Sequence, residues 1–129
     1  MATVVVNAGR AIVTNRLRSL GTEPLNLGWG TGAGTAAVAD TTLFTEALVT
    51  LAAGTTDHTA GTSTQQTTTV TSDTYQVVAT RTATGAGTVT NMGLWDAASG
   101  GNLFMKGDFA GIALASGDSI QATCKVIFA

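Results

Sequence analysis

The chain of 129 residues holds one histidine, His58, and one cysteine, Cys124. A zinc site needs several ligands at close spacing, as in CxxC or HxxxH pairs. One His and one Cys far apart make neither. His58 stands in "TTDHTAG", which reads as a solvent-exposed loop, and Asp57 beside it reads as loop polarity rather than an acid–imidazole dyad. Cys124 as a nucleophile would need a positioned base. It falls on the apolar side of the last strand, where a cysteine serves as a small buried hydrophobe. Ser99 precedes Gly100 and Gly101, but no G-x-S-x-G elbow surrounds it. Asp96, Asp108 and Asp118 fall at turns, where a carboxylate bonds its own backbone, so no acid pair for glycoside hydrolysis is marked. Gly28, Gly30 and Ala33 satisfy G-x-G-x-x-A. That motif requires a strand before it and a helix after it, and "TGAGTAAVADT" reads as loop. Lys106 is followed by Gly107 without a Walker A pattern. The residues therefore imply no catalytic group, no metal and no cofactor, and the chain reads as something other than an enzyme.

The aromatic residues are dispersed, which suits packing better than a platform for sugars or single strands. Trp29 in "NLGWGTGAG" and Trp95 in "GLWDAASGGNLF" each adjoin a glycine-rich turn, where a ring can be displayed to a partner. Around them the elements are legible from periodicity. "ATVVV" is an apolar β-type arm. Asn7 can cap a helix over "AGRAIVTNRLRSL", with Ile12, Arg16 and Leu20 at helical spacing and a strand as the alternative; Pro24 closes it. "TTLFTEALVTLAAG" fits helix or strand equally, and "TTDHTAGTSTQQ" reads as a polar loop. Two strands are expected around a Ser72-Asp73 turn, with Tyr75, Val77 and Ala79 on one face. "GTVTNMGLWD", "NLFMKG" and "FAGIAL" are further strands. In "SIQATCKVIFA", Ile120, Ala122, Cys124, Val126 and Phe128 face one way. In "GLWDAASGGNLF", Asp96 and the glycines serve a hairpin turn. Short strands at close spacing with glycine turns predict an all-β, antiparallel sandwich or barrel forming one domain over 1–129, which includes an N-terminal arm and helix over about 1–24.

Only 11% of residues are charged, against about 25% in ordinary soluble domains. A surface so poor in charge repels itself weakly and suits a chain that spends its life packed against others. The net charge is −2 and no basic run occurs, which argues against a nucleic-acid partner. Arg10, Arg16 and Arg18 read as a solvated or interface face. No apolar stretch approaches the roughly 20 residues that span a bilayer, no basic segment leads into an apolar run, and a lone cysteine signals no disulfide framework.

The ordered segments "LGWGTGAGTAAVADTTLFTE", "VTNMGLWDAASGGNLFMKGDFAG" and "LASGDSIQATCKVIF", over roughly residues 26–128, resemble small structural proteins of tailed bacteriophages. The resemblance implies a β-sandwich of jelly-roll type acting as a capsid decoration, or cement, protein: made in the bacterial host cytoplasm, bound on the outer capsid surface of the virion, and stabilising the shell. Its partners would be the major capsid protein and further copies of itself, with no nucleic acid and no membrane. Tail-fibre or baseplate proteins that bind a host receptor or carbohydrate are the alternative. Interface candidates are the arm residues Val4, Val5 and Val6, together with Arg10, Trp29 and Trp95. The N-terminal helix and Trp95 depart from a plain sandwich of this kind.

Overall fold

Alternation of apolar and polar residues, with glycine at the corners, folds this chain into two packed sheets. The computed structural model describes residues 2–17, 19–54 and 57–128; Arg18, one of the three N-terminal arginines, lies outside them. The elements run β1 (Thr3–Val5), α1 (Asn7–Leu17), β2 (Asn26–Gly30), β3 (Glu46–Ala47), β4 (Thr59–Ala60), β5 (Thr62–Gln66), β6 (Thr74–Thr82), β7 (Gly87–Trp95), β8 (Leu103–Leu114) and β9 (Ser119–Ile127). A wide sheet has the order β1-β8-β7-β2-β3, with β4 sharing the β2 edge with β3; a narrow sheet has the order β5-β6-β9. All pairings are antiparallel. The architecture is the expected all-β sandwich with a short N-terminal helix.

The winding follows from one long ribbon folded over. β7 pairs with β8 in the wide sheet, while β6 and β9, which flank them in sequence, pair along their whole length in the narrow sheet, from Thr74↔Ile127 to Thr82↔Ser119. A two-stranded ribbon bent across both layers is winding of the jelly-roll kind. Ser72 has a φ of 63° at the turn before β6. The Asp73 carboxylate closes that turn by accepting the N–H groups of Thr68, Thr69 and Val70 at 2.8–2.9 Å. The hairpin between β7 and β8 uses Gly100 and Gly101 at φ 64° and 84°, and Asp96 accepts the N–H of Asn102 at 2.6 Å. Its aspartate and glycines serve the turn, as the sequence implied.

Several expectations are refined. The last strands before the C-terminus are longer than their sequence signals: "NLFMKG" and "FAGIAL" fuse into β8. The polar stretch 55–66 carries β4 and β5, because threonine suits a pleat even where no apolar alternation announces it. The ambiguous segment 41–54 contributes only the two-residue β3 and turns. Asp108 lies inside β8 rather than at a turn, where its carboxylate accepts the N–H of Ala36 at 2.8 Å and of Ala2 at 3.2 Å.

The main core lies between the sheets. Leu27, Trp29 and Leu94 of the wide sheet meet Val77 and Ala79 of the narrow one. A register shift between Leu94 and Trp95 leaves Phe104 as the extra residue on β8, and this bulge turns its ring inward onto Tyr75, edge to face at 6.2 Å. Gly9 lets α1 close against the Phe104 backbone, where any side chain would collide. A second, smaller core of Val6, Leu43, Trp95 and Leu103 covers the opposite face of the wide sheet. Every residue of β2 is buried, because that strand is covered on both sides.

Candidate functional site

Residues 46–54 and 57–60 carry little regular structure, yet they place two ionisable side chains in the interior. Glu46 of β3 and His58 just before β4 are each 6% exposed. Glu46 Oε1 lies 2.5 Å from His58 Nε2, and His58 Nδ1 lies 3.0 Å from the carbonyl oxygen of Ala97. A carbonyl only accepts, so Nδ1 donates. The Nε2–Oε1 link then contains one proton, carried by an imidazolium or by a carboxylic acid. The Trp95 indole stacks on the imidazole at 4.6 Å and 11°, and a Cβ at position 28 would meet both rings. Gly28 is therefore what admits the stack against β2.

On the other face of β2, Arg81 of β6 points into the space between the sheets at 1% exposure. Its guanidinium lies 4.9 Å from the Trp29 ring centroid. It donates to Thr59 Oγ1 at 2.8 Å and to the Asp57 carbonyl at 2.7 Å, with the Asp57 carboxylate at 3.4 Å. Burial pulls its basicity below the usual guanidinium value, and Asp57 opposes that pull. A second buried cation, Lys106, sits over the Phe44 ring at 3.2 Å and donates to Asp40 and to the Thr42 carbonyl, both at 2.9 Å.

An imidazole held by a carboxylate is the hardware of a general base. Here both members are enclosed, one face of the ring is covered by Trp95, and among the described residues no Ser, Thr or Cys side chain hydrogen-bonds to either. What the arrangement does is tie three stretches together: β3, the approach to β4, and the β7–β8 turn, which also accepts the His58 N–H at Ala98 O. Among the described residues no group of three or more His, Cys, Asp or Glu is placed to hold a metal ion. Cys124 lies half-buried on β9, and burial pushes its thiol up to about 11, away from the low values of reactive cysteines.

The expected site residues disperse. Trp29 is 0% and Trp95 4% exposed; neither ring is displayed, and the Trp95 indole fits only because Gly28 has no side chain to meet it. Trp29 Nε1 donates to the Leu48 carbonyl at 2.9 Å. His58 is a core residue and not an exposed loop histidine, and Asp57 turns to Arg81 rather than to it. The N-terminal arm is not free. Val4 and Val5 pair with Lys106 and Met105 as the edge strand of the wide sheet, and Val6 is fully buried. Arg10 is exposed on α1, with Nη1 donating to Asn7 Oδ1 at 3.4 Å. Sequence reasoning missed Glu46, Arg81 and Lys106. Arg81 continues the period-two face of Tyr75, Val77 and Ala79, so extending that alternation would have found it.

The open features are apolar. Along β9 the inward residues Ile120, Ala122, Cys124 and Val126 are only half-buried. Leu17, Ile112, Ile127 and Phe128 are exposed, Leu17 at 82%. No protein-family model matches this chain, and neither a curated protein nor a solved structure is similar to it.

Proposed function

We propose that this chain is a structural subunit that works packed against other subunits, and specifically a virion protein of a tailed bacteriophage: a decoration protein that binds the outside of the major-capsid-protein shell and stabilises it. The observation that carries the reading is the half-covered apolar side along β9, on a chain with so few charges. Covering apolar area contributes about 25 cal/mol per Å², and repetition over a lattice turns modest contacts into high avidity. The enclosed ionic links at Glu46, His58 and Arg81 support the same reading, since they tie irregular segments together. The phage assignment itself rests on the ordered resemblance of residues 26–128.

Immunogold labelling of purified virions with antiserum against this chain tests it. Uniform label over the heads is the expected result. Label confined to the tails overturns the capsid assignment, and a particle free of the chain overturns the virion reading altogether.

A further inference from the structure

The two sheets are unequal in width. β6 packs beneath β2 and β4. β9 lies on the other side of β6 from β5, while the wide sheet runs on through β7 and β8 to β1. Among the described residues no strand of the narrow sheet lies beyond β9, so the β1 side overhangs it. α1 fills one end of the space beneath, packing on β8 and sending Ile12 into the core. The rest is a groove of about 290 Å³, walled above by Thr3, Gly107 and Phe109 and along β9 by Ile120, Ala122 and Cys124. Gly107 has no side chain and those of Ala122 and Cys124 are short, so the two walls do not meet.

The phase of the backbone is fixed by two hydrogen bonds. Phe128 N–H donates to Asp73 O, and Ala83 N–H donates to Asp118 O. Even-numbered residues of β9 therefore exchange hydrogen bonds with β6, and their half-buried side chains line the groove. The odd-numbered ones, Ser119, Gln121, Thr123 and Lys125, carry exposed side chains on the outer face and aim N–H and C=O along the groove. β9 pairs without a register shift, contains no proline, and has Lys125 as its one charged residue. The overhang decides what can reach this edge. A second sandwich would bring its own wide sheet into the layer that β8 and β1 already occupy. A single strand needs only about 5 Å beside β9 and can lie beneath them.

We propose that the groove takes an extended arm of a different, neighbouring protein subunit, added to the narrow sheet as a fourth strand, antiparallel to β9 over Ser119–Lys125. The arm's residues opposite Ile120, Ala122 and Cys124 point inward beneath β1 and β8, and these are branched apolar side chains that fill the space Gly107 leaves. The residues opposite Gln121 and Thr123 face solvent and are polar. The residue opposite Lys125 is acidic, since directly opposed side chains share a face and opposite charges there stabilise the pair. Such a strand is about 23 Å long. Main-chain bonds supply its affinity and the alternate inward positions its specificity.

The proposal rests on the assembly reading and deepens it by naming the kind of partner. Its test uses the purified chain and a synthetic probe, so its failure leaves the virion reading to stand or fall on the labelling of particles. The probe is acetyl-EITVTVT-amide, whose glutamate falls opposite Lys125. Calorimetry is expected to give a Kd on the order of 10 μM. The probe KITVTVT, of like charge, should bind about fivefold more weakly, and Lys125→Glu should reverse that preference. Thr123→Pro removes an edge-facing N–H while leaving the β6 ladder intact. It should weaken binding more than tenfold with the far-ultraviolet spectrum unchanged. In the probe ECTVTVT the cysteine stands opposite Cys124 in a non-hydrogen-bonded pair, about 4.5 Å between Cα atoms, within reach of a disulfide. Mild oxidation should link the two, and Cys124→Ala should abolish the link. No saturable binding up to about 1 mM, or binding indifferent to Thr123→Pro and to the Lys125→Glu exchange, overturns the proposal.

Discussion

At the scale of single residues, four charged side chains, Glu46, Asp73, Arg81 and Lys106, lie buried. Glu46 has one carboxylate oxygen on His58 and a second, buried, without a hydrogen-bond partner among the described residues. Removing His58 strands that carboxyl and opens the Trp95 stack. His58→Ala should cost about 3 kcal/mol of unfolding free energy, within the range for breaking a buried pair. Glu46→Gln keeps a hydrogen bond to Nε2, since an amide can donate to a neutral imidazole, and should cost about 1 kcal/mol. Urea denaturation of the two variants checks the ordering; equal costs would mean the pair is not what holds residues 46–60. A different set of carboxylates governs acid stability. Backbone N–H groups from Val70 and Thr68 hold Asp73 below the usual 3.8, the N–H of Ala36 does so for Asp108, and the N–H of Ala37 with Lys106 does so for Asp40. A depressed native value means the unfolded chain binds protons first. Their stabilisation is complete above about pH 5 and fades as pH falls through the ordinary carboxylate value and below it. Asp73→Asn should lower the urea midpoint at pH 7 and flatten its decline in acid; an unchanged acid slope would remove Asp73 from this role. None of these pairings was legible in sequence, because Glu46 and His58 meet only through tertiary contact and their segments show no periodicity.

At the scale of elements, the sequence spoke clearly wherever alternation was long. β6 and β9 were read with their faces correct, and the helix was placed within a few residues of α1. It spoke poorly where pairing, not pattern, makes the strand. β4 and β5 lie in a threonine-rich run, and β8 joins two segments that a glycine seemed to divide. The N-terminal arm is the instructive case. Three valines looked available to a neighbour, yet β1 already completes the wide sheet and Val6 fills the smaller core. Deleting residues 1–8 should therefore lower the melting temperature by several degrees, through lost ladder bonds and an opened core. It would confound any binding assay. A truncated chain melting with the full-length one would show that the arm is free after all.

At the scale of the molecule, scarce charge and abundant threonine and glycine are the ground of the assembly reading. The fold adds where that packing is incomplete: along β9 the inward apolar residues are only half-buried. The two tryptophans, the most conspicuous residues for a contact, are instead the pillars of the two cores, while the open side is built from Ile112, Ile120, Ala122 and Phe109, residues of no motif at all. Such a surface is visible only once register is known, since a shift of one residue would send β9's apolar row to the other face.

Residue-resolved hydrogen exchange along β9 of the purified chain, followed over a concentration series of the EITVTVT probe, tests most directly whether this open side is made to be covered. The edge-facing amides of Gln121, Thr123 and Lys125 are expected to exchange at nearly solvent rates when the probe is dilute and to become protected as its concentration rises, while those of Ala122 and Cys124, bonded to β6, stay protected throughout. Free exchange of the odd-numbered amides at every concentration would contradict it.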